Sequence, residues 1–94
     1  MAMILIKAKI KQRKQTEFFQ TVESIKGLLK NKCKDFNMDC ENNKNVTIKI
    51  SFADTDKMKE NFNGPEFHIL RGALLSLCDD IEIIPEDNIP IQIN

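Results

Sequence analysis

Apolar and polar residues alternate in four short segments of this 94-residue chain. The clearest alternation covers residues 46–52, where apolar side chains fall at every second position. This period is typical of a strand with one buried face. Residues 3–11 and 35–41 show the same pattern, and residues 81–84 form a shorter last strand that Pro85 is expected to end. The pattern therefore predicts four strands.

Between these strands, apolar residues recur every three or four positions, which predicts three helices. Thr16 and Asp54 are expected to cap the first and second helices, because their side-chain oxygens can accept hydrogen bonds from free backbone amides. Gly64 ends the second helix, and Pro65 suits the first position of the third. Gly27 lies inside the first helix and is expected to mark a close packing contact. The apolar stripes are Phe18, Val22, Ile25 and Leu29; Met58 and Phe62; and Phe67, Leu70, Leu74 and Leu77.

The predicted order of elements is β-α-β-β-α-α-β, with a hairpin loop at residues 42–45. This is an α+β arrangement with the helices on one face of an antiparallel sheet. The face beneath the helices collects Ile4, Ile6, Ala8, Ile10, Phe36, Met38, Cys40, Val46, Ile48, Ile50, Phe52, Ile81 and Ile83. The opposite face collects Leu5, Lys7, Lys9, Lys11, Asp35, Asn37, Asp39, Thr47, Lys49, Ser51, Glu82 and Ile84. This charged face is either solvated or an interface between two copies of the sheet.

Length, charge and cysteine content exclude several classes of protein. Ninety-four residues predict a single domain, with a core at residues 3–84 and an extended tail at 85–94. Its 14 basic and 14 acidic residues cancel, which disfavours binding to nucleic acid or an anionic membrane. Three unpaired cysteines and the lack of a leader or apolar span predict a soluble, cytoplasmic protein with free thiols. Two of them, Cys40 and Cys78, are expected to be small buried hydrophobic residues.

The tail carries isoleucines at positions 89, 91 and 93, which alternate with Pro90 and Gln92. An exposed edge strand of this composition is prone to aggregate. A second subunit would cover it, and a chain this short also gains stability from a partner. We therefore expect a homodimer in which the tail or the charged sheet face packs on the partner.

The strand ending IKISFADTDKM and the helix entry FNGPEFHILRGALLSL resemble the antibiotic biosynthesis monooxygenase domain of the dimeric α+β barrel superfamily. Phe52 stands at that family's aromatic position, residues 54–56 at the start of its short helix, and residues 64–67 at the step into its last long helix. The resemblance covers residues 3–84. It implies a ferredoxin-like protomer that pairs into a barrel, with an apolar pocket between sheet and helices. It also implies oxidation of a phenol or quinol by O₂ without metal or flavin, although some members have no established activity.

The chain departs from the family at several positions. Phe52 replaces the usual Trp, Glu66 replaces the usual His, and the chain contains neither Trp nor Tyr. Haem-degrading relatives use an Asn on the first strand and a His in the last long helix, where this chain has no Asn and, near the second position, Arg71. Haem degradation is therefore disfavoured.

Two titratable residues are candidate catalytic groups. His68 is the only histidine and either acts as an acid or base at the edge of the pocket or is a surface residue. Glu66 either accepts a proton from a phenolic substrate or stabilises the helix N-terminus. The expected pocket lining is Phe52, Met58, Phe62, Phe67 and Arg71, and Arg71 either clamps a substrate anion or is solvated. No metal is expected, because the His and Cys spacing fits no metal site. No cofactor is expected either, which is what the resemblance implies.

Two functions remain open at this stage. The first is a cofactor-independent monooxygenase that acts on a small phenol or quinol. The second is a non-catalytic module that binds a small apolar ligand or a protein partner through the same scaffold, which the loss of Trp, Tyr and the family His favours. Fold alone does not decide between them.

Overall fold

The seven predicted elements form in the predicted order. The structure, a computed structural model, describes residues 2–87; the expectations for the tail at 88–94 lie outside them. The class is α+β, as the sequence predicts. The elements are β1 (Ala2–Ile10), α1 (Gln15–Lys30), β2 (Asp35–Glu41), β3 (Asn45–Phe52), α2 (Thr55–Phe62), α3 (Pro65–Leu77) and β4 (Cys78–Asp87).

The four strands form one antiparallel sheet in the order β2-β3-β1-β4. In the central pair, Ile4 lies opposite Ile50 and Ile6 opposite Ile48, so the apolar residues of both strands share one face. These four isoleucines are buried in a core that also contains the apolar stripes of α1 and α3. Lysines 7 and 9 are exposed on the other face. The predicted assignment of the two faces is therefore confirmed for the central strands.

The local signals of the hairpin loop and of the starts of α2 and α3 are also confirmed. Asn42 and Asn43 adopt positive φ angles of 55° and 56° in the loop between β2 and β3, a conformation that Asn tolerates. The backbone N–H of Lys57 donates a hydrogen bond of 2.8 Å to Asp54 Oδ1, so Asp54 caps α2. Pro65 opens α3. No helix in residues 2–87 is long and apolar enough to cross a membrane.

The predicted start of α1 is wrong. Helix α1 begins at Gln15 rather than after Thr16, and its cap residue, Lys14, makes no side-chain capping bond. The reason is a turn just before it, in which Lys14 N–H donates to Lys11 O and Phe18 N–H donates to Lys14 O. Arg13 takes a φ of 69° in this turn. The first helical hydrogen bond is therefore accepted by Lys14 O. A cap at Thr16 would have placed this first bond two residues later, on Thr16 O.

The predicted end of β4 is also wrong. The strand continues through Pro85, which lies opposite Ile4 and does not end the pairing. In the sheet of residues 2–87, β4 is an outer strand, and an outer strand tolerates Pro because one side makes no ladder bonds. A register shift between Lys7 and Lys9 leaves an extra residue on β4, where Asp80 has a φ of 51°.

Two burial predictions fail near the margins of the sheet. Cys40 lies opposite Val46 as expected, but it is exposed because β2 is an outer strand and its second half has little cover. Ile83 lies opposite Ile6 on outer strand β4 and is 39% exposed, while Ile81 is only partly buried. Cys78 is buried as predicted, because it lies opposite Ile10 at the closed end of the core.

Gly27 makes no close packing contact, contrary to the prediction. A Cβ atom built on Gly27 would have no neighbouring atom within 4 Å, and the residue is exposed. Gly27 therefore only destabilises α1, because glycine loses more backbone entropy on folding than other residues do.

We expect Gly27→Ala to stabilise the protein by about 0.5–1 kcal/mol, because Ala loses less backbone entropy in a helix and meets no obstacle here. Urea unfolding followed by circular dichroism measures this shift. Gly64→Ala is the matched control, because its Cβ would lie 3.1 Å from Asn61 O and must displace backbone. A lower unfolding midpoint for Gly27→Ala would contradict the helix geometry.

Candidate functional site

Three phenylalanines meet where β3 ends and the two later helices join. Phe52 is the last inward residue of β3, Phe62 ends α2, and Phe67 begins the apolar stripe of α3. The ring centroids of Phe52 and Phe67 are 5.8 Å apart, and those of Phe62 and Phe67 are 5.6 Å apart, both with tilted planes. Such pairs contribute about 0.5–1.5 kcal/mol beyond the burial of their area. We refer to Phe52, Phe62 and Phe67 as the aromatic cluster.

The aromatic cluster is closed rather than hollow. Phe52 is 1% exposed and Phe67 is 0% exposed, and both belong to the continuous core together with Met58, which is 8% exposed. Phe62 is partly buried and packs against the same core. Of the residues expected to line a pocket, the three phenylalanines are in contact, and their side chains fill the space between them.

Arg71 covers the outer side of this cluster. Its guanidinium carbon lies 5.1 Å from the centroid of the Phe62 ring, a cation–π arrangement. Arg71 Nε is buried and has no hydrogen-bond partner among residues 2–87. The guanidinium is thus held over the Phe62 ring, and its Nε donor is enclosed without an acceptor in the described part of the chain.

The two candidate catalytic residues do not converge. Glu66 is half-buried in the first turn of α3, and His68 is exposed. Residues two apart on a helix differ by roughly 200° around its axis, so their side chains leave α3 in nearly opposite directions. The most pronounced clefts of residues 2–87 are lined by neither of them. Glu66 and His68 therefore do not form a paired acid and base.

A cleft that the sequence analysis did not find lies on the other side of α2. It has a volume of about 380 Å³ and is lined by Asn31, Lys32, Cys33, Lys34, Phe52, Ala53, Lys57 and Asn61. We refer to it as the Phe52 cleft. Its signal in the sequence is the NKCK segment at residues 31–34. The register that places Asp35 opposite Ser51 brings this segment beside the end of β3.

The thiols are poorly suited to nucleophilic chemistry. Burial is the main cause that raises the pKa of Cys33; the Asp35 charge raises it further, while Lys30 lowers it. Cys33 Sγ also donates to Leu29 O at 3.2 Å. Burial, assisted by the Asp79 charge, raises the pKa of Cys78 to about 11, although Lys11 opposes the shift. Both thiols therefore stay protonated near neutral pH and are weak nucleophiles.

In the part of the chain whose side chains are described, residues 2–85, no group of three or more His, Cys, Asp or Glu is placed to hold a metal ion. No protein-family model matches the chain, and no curated protein matches it. Similarity is found among solved structures instead.

One of these is a crystal structure of an antibiotic biosynthesis monooxygenase, with a TM-score of 0.80, 10% identity, and coverage of 96% of this chain and 100% of that one. The chain has the fold of the antibiotic biosynthesis monooxygenases. The likeness includes SnoaB, a cofactor-independent oxygenase from Streptomyces nogalater, studied as the mutant N63A, with a TM-score of 0.78, 12% identity, and coverage of 96% and 95%. A conserved protein from Methanosarcina mazei Go1 has a TM-score of 0.75, 22% identity, and coverage of 90% of each chain.

The antibiotic biosynthesis monooxygenase fold confirms the resemblance drawn from the residues at the level of architecture. Identities between 10% and 22% leave the side chains of a site free to differ. Within this fold, the aromatic cluster occupies the space between sheet and helices where the resemblance implied a pocket.

We expect Phe67→Ala to destabilise the protein by about 3–5 kcal/mol, because it removes a fully buried ring from the core. His68→Ala, one position further along the same helix, is the matched control and is expected to change stability by less than about 0.5 kcal/mol. Chemical denaturation of both variants measures the difference. If Phe67→Ala were nearly neutral, the ring would line a cavity rather than fill the core.

Proposed function

We propose that this protein is a non-catalytic binding module built on the antibiotic biosynthesis monooxygenase fold and that it works as a homodimer. The observation that carries the proposal is the closed aromatic cluster. A substrate in the expected position would have to displace Phe52 or Phe67, both of which are almost completely buried.

The placement of polar groups supports the same proposal. General acid–base catalysis requires a proton-transfer group within hydrogen-bond reach of the substrate. Glu66 and His68 point away from each other, and His68 faces solvent. Arg71 is stacked on Phe62, on the outer side of the cluster. Glu66 is placed to stabilise the N-terminus of α3, and His68 is placed in water, so the two do not share a reaction centre.

The uncovered face of the sheet supports a homodimer. All three described helices contribute to the core on the opposite face. On the uncovered face, Leu5 lies opposite Ile84 of β4, and Met3 precedes it on the same side. These three apolar residues are only half-buried within one protomer. A second sheet that packs on them would remove their remaining apolar surface from water.

Charges on this face are arranged so that two copies can complement each other. The central strands carry Lys7, Lys9 and Lys49, whereas the outer strands carry Asp35, Asp39 and Glu82. Among the side chains of residues 2–85, none of these six forms an ion pair within 4 Å. A twofold axis makes both copies use the same surface, so a crossed arrangement of sheets can bring acidic margins over a basic centre.

A second candidate is cofactor-independent oxidation of a small phenol or quinol. The observation that favours it is the likeness to SnoaB, which is described as a cofactor-independent oxygenase. In this case the aromatic cluster must open when substrate binds. Glu66 would then serve as the base and His68 as a residue at the pocket edge.

Oxygen uptake separates the two functions. We expect no O₂ consumption above the autoxidation rate when the protein is incubated with a panel of hydroquinones and polycyclic quinols. Turnover that falls in Glu66→Gln and His68→Ala, but not in the exposed-surface variant Lys59→Gln, would overturn the non-catalytic proposal and establish the second candidate.

Leu5→Asp tests the dimer. A carboxylate on the uncovered face would be buried without a partner in the assembly, so we expect the dimer dissociation constant to rise at least about tenfold. Sedimentation equilibrium at micromolar concentration measures the constant. Leu28→Asp is the matched control, because Leu28 is 52% exposed on α1, on the far side of the protomer. A monomeric wild-type protein would contradict the proposal directly.

A further inference from the structure

The Phe52 cleft has walls that the backbone holds in place. One wall is the segment after α1, where Asn31 N–H donates to Leu28 O and Lys32 N–H donates to Leu29 O. Lys34 N–H then donates to Ser51 O at 2.7 Å, which ties this segment to the end of β3. The other wall is α2, whose first turn is capped by Asp54. Hydrogen bonds to the backbone therefore hold both walls of the cleft in place.

The walls of the cleft carry positive charge. Lys32, Lys34 and Lys57 line it, and none of its lining residues is a carboxylate. Lys57 also pairs with Glu60 at 3.6 Å, beside the cleft, but both side chains are more than half exposed. Exposed pairs of this kind contribute little and exchange partners readily. Three lysines thus border the space that an anion within the cleft would occupy.

The floor of the cleft is apolar. It is formed by Ala53, which is exposed, and by the half-buried thiol of Cys33, next to the enclosed ring of Phe52. Asn31 and Asn61 add amide groups at opposite sides, which can donate and accept hydrogen bonds. A volume of about 380 Å³ lies within the range of small-molecule sites.

From these features we infer that the Phe52 cleft binds a small aromatic carboxylate. The ring lies on the apolar floor, and the carboxylate lies between Lys34 and Lys57 on the two walls. A hydrogen bond between a lysine ammonium group and a carboxylate is stronger than one between neutral groups. This inference rests on the proposed binding role and supplies the chemical class of its ligand.

The test compares benzoate with benzamide, which has the same shape and no charge. Titration of the full-length ¹⁵N-labelled protein is followed by two-dimensional NMR. We expect benzoate to shift the amide signals of Cys33, Lys34, Ala53 and Lys57, and to bind at least about tenfold more tightly than benzamide. Equal binding of the two probes, shifts centred elsewhere on the protein, or no shift with benzoate would overturn the inference.

Two double variants test which lysines the carboxylate of benzoate contacts. Lys34→Gln with Lys57→Gln is expected to weaken benzoate binding about tenfold and to leave benzamide binding unchanged. Lys11→Gln with Lys44→Gln removes the same charge from a different cleft, which also contains Asp79 and Asp80, and is expected to bind benzoate as the wild type does. Equal weakening in both variants would show a general charge effect and overturn the site.

The binding result and the proposed function can fail separately. Benzoate is not a quinol, so its binding does not depend on whether the protein consumes O₂. If the protein turned over quinols and also bound benzoate at Lys34 and Lys57, the proposed non-catalytic function would be wrong and the inferred binding site would be right. If a lysine variant fails to fold, the comparison of benzoate with benzamide on the wild-type protein still decides the inference.

Discussion

The pairing of β1 with β3 is the constraint on which the rest of the structure depends. Because Ile4 lies opposite Ile50 and Ile6 opposite Ile48, the two central strands present one continuous apolar surface. This surface is stable only under cover, and the stripes of α1 and α3 provide it. A shift of one residue in this register would exchange the isoleucines for lysines on the covered face. The register thus fixes which face meets the helices and which face stays open.

The aromatic cluster follows from the same register. Phe52 ends β3 on the covered side, where its ring meets Phe67 of α3, which in turn meets Phe62 of α2. A Trp or Tyr in this position would bring a polar N–H or O–H that needs a partner when buried. Phe has no such group and can be enclosed completely. The chain contains six Phe residues and no Trp or Tyr, which favours closed packing over a polar pocket.

The sequence predicted the elements whose signals are local or strictly periodic. The alternation in β3, the cap at Asp54 and the Asn pair of the hairpin each depend on a few neighbouring residues, and the structure confirms all three. It misplaced the cap at Thr16, because a turn from Lys11 to Lys14 starts α1 earlier. The cover over Cys40 depends on where β2 lies in the sheet, and strand order is not visible in periodicity. Whether the five expected lining residues enclose a space or fill it depends on packing geometry, which periodicity does not contain.

The Phe52 cleft shows what such non-local geometry adds. Its two walls are more than twenty residues apart in the chain and meet only because Lys34 is bonded to the end of β3. The hydrogen bond of 2.7 Å from Lys34 N–H to Ser51 O also holds the lysines that follow α1 beside the end of β3. The balanced net charge of the chain conceals this local excess. A protein without a long-range field can still select an anion when a few lysines share one rigid cleft, because short-range contacts are less screened by salt than distant ones.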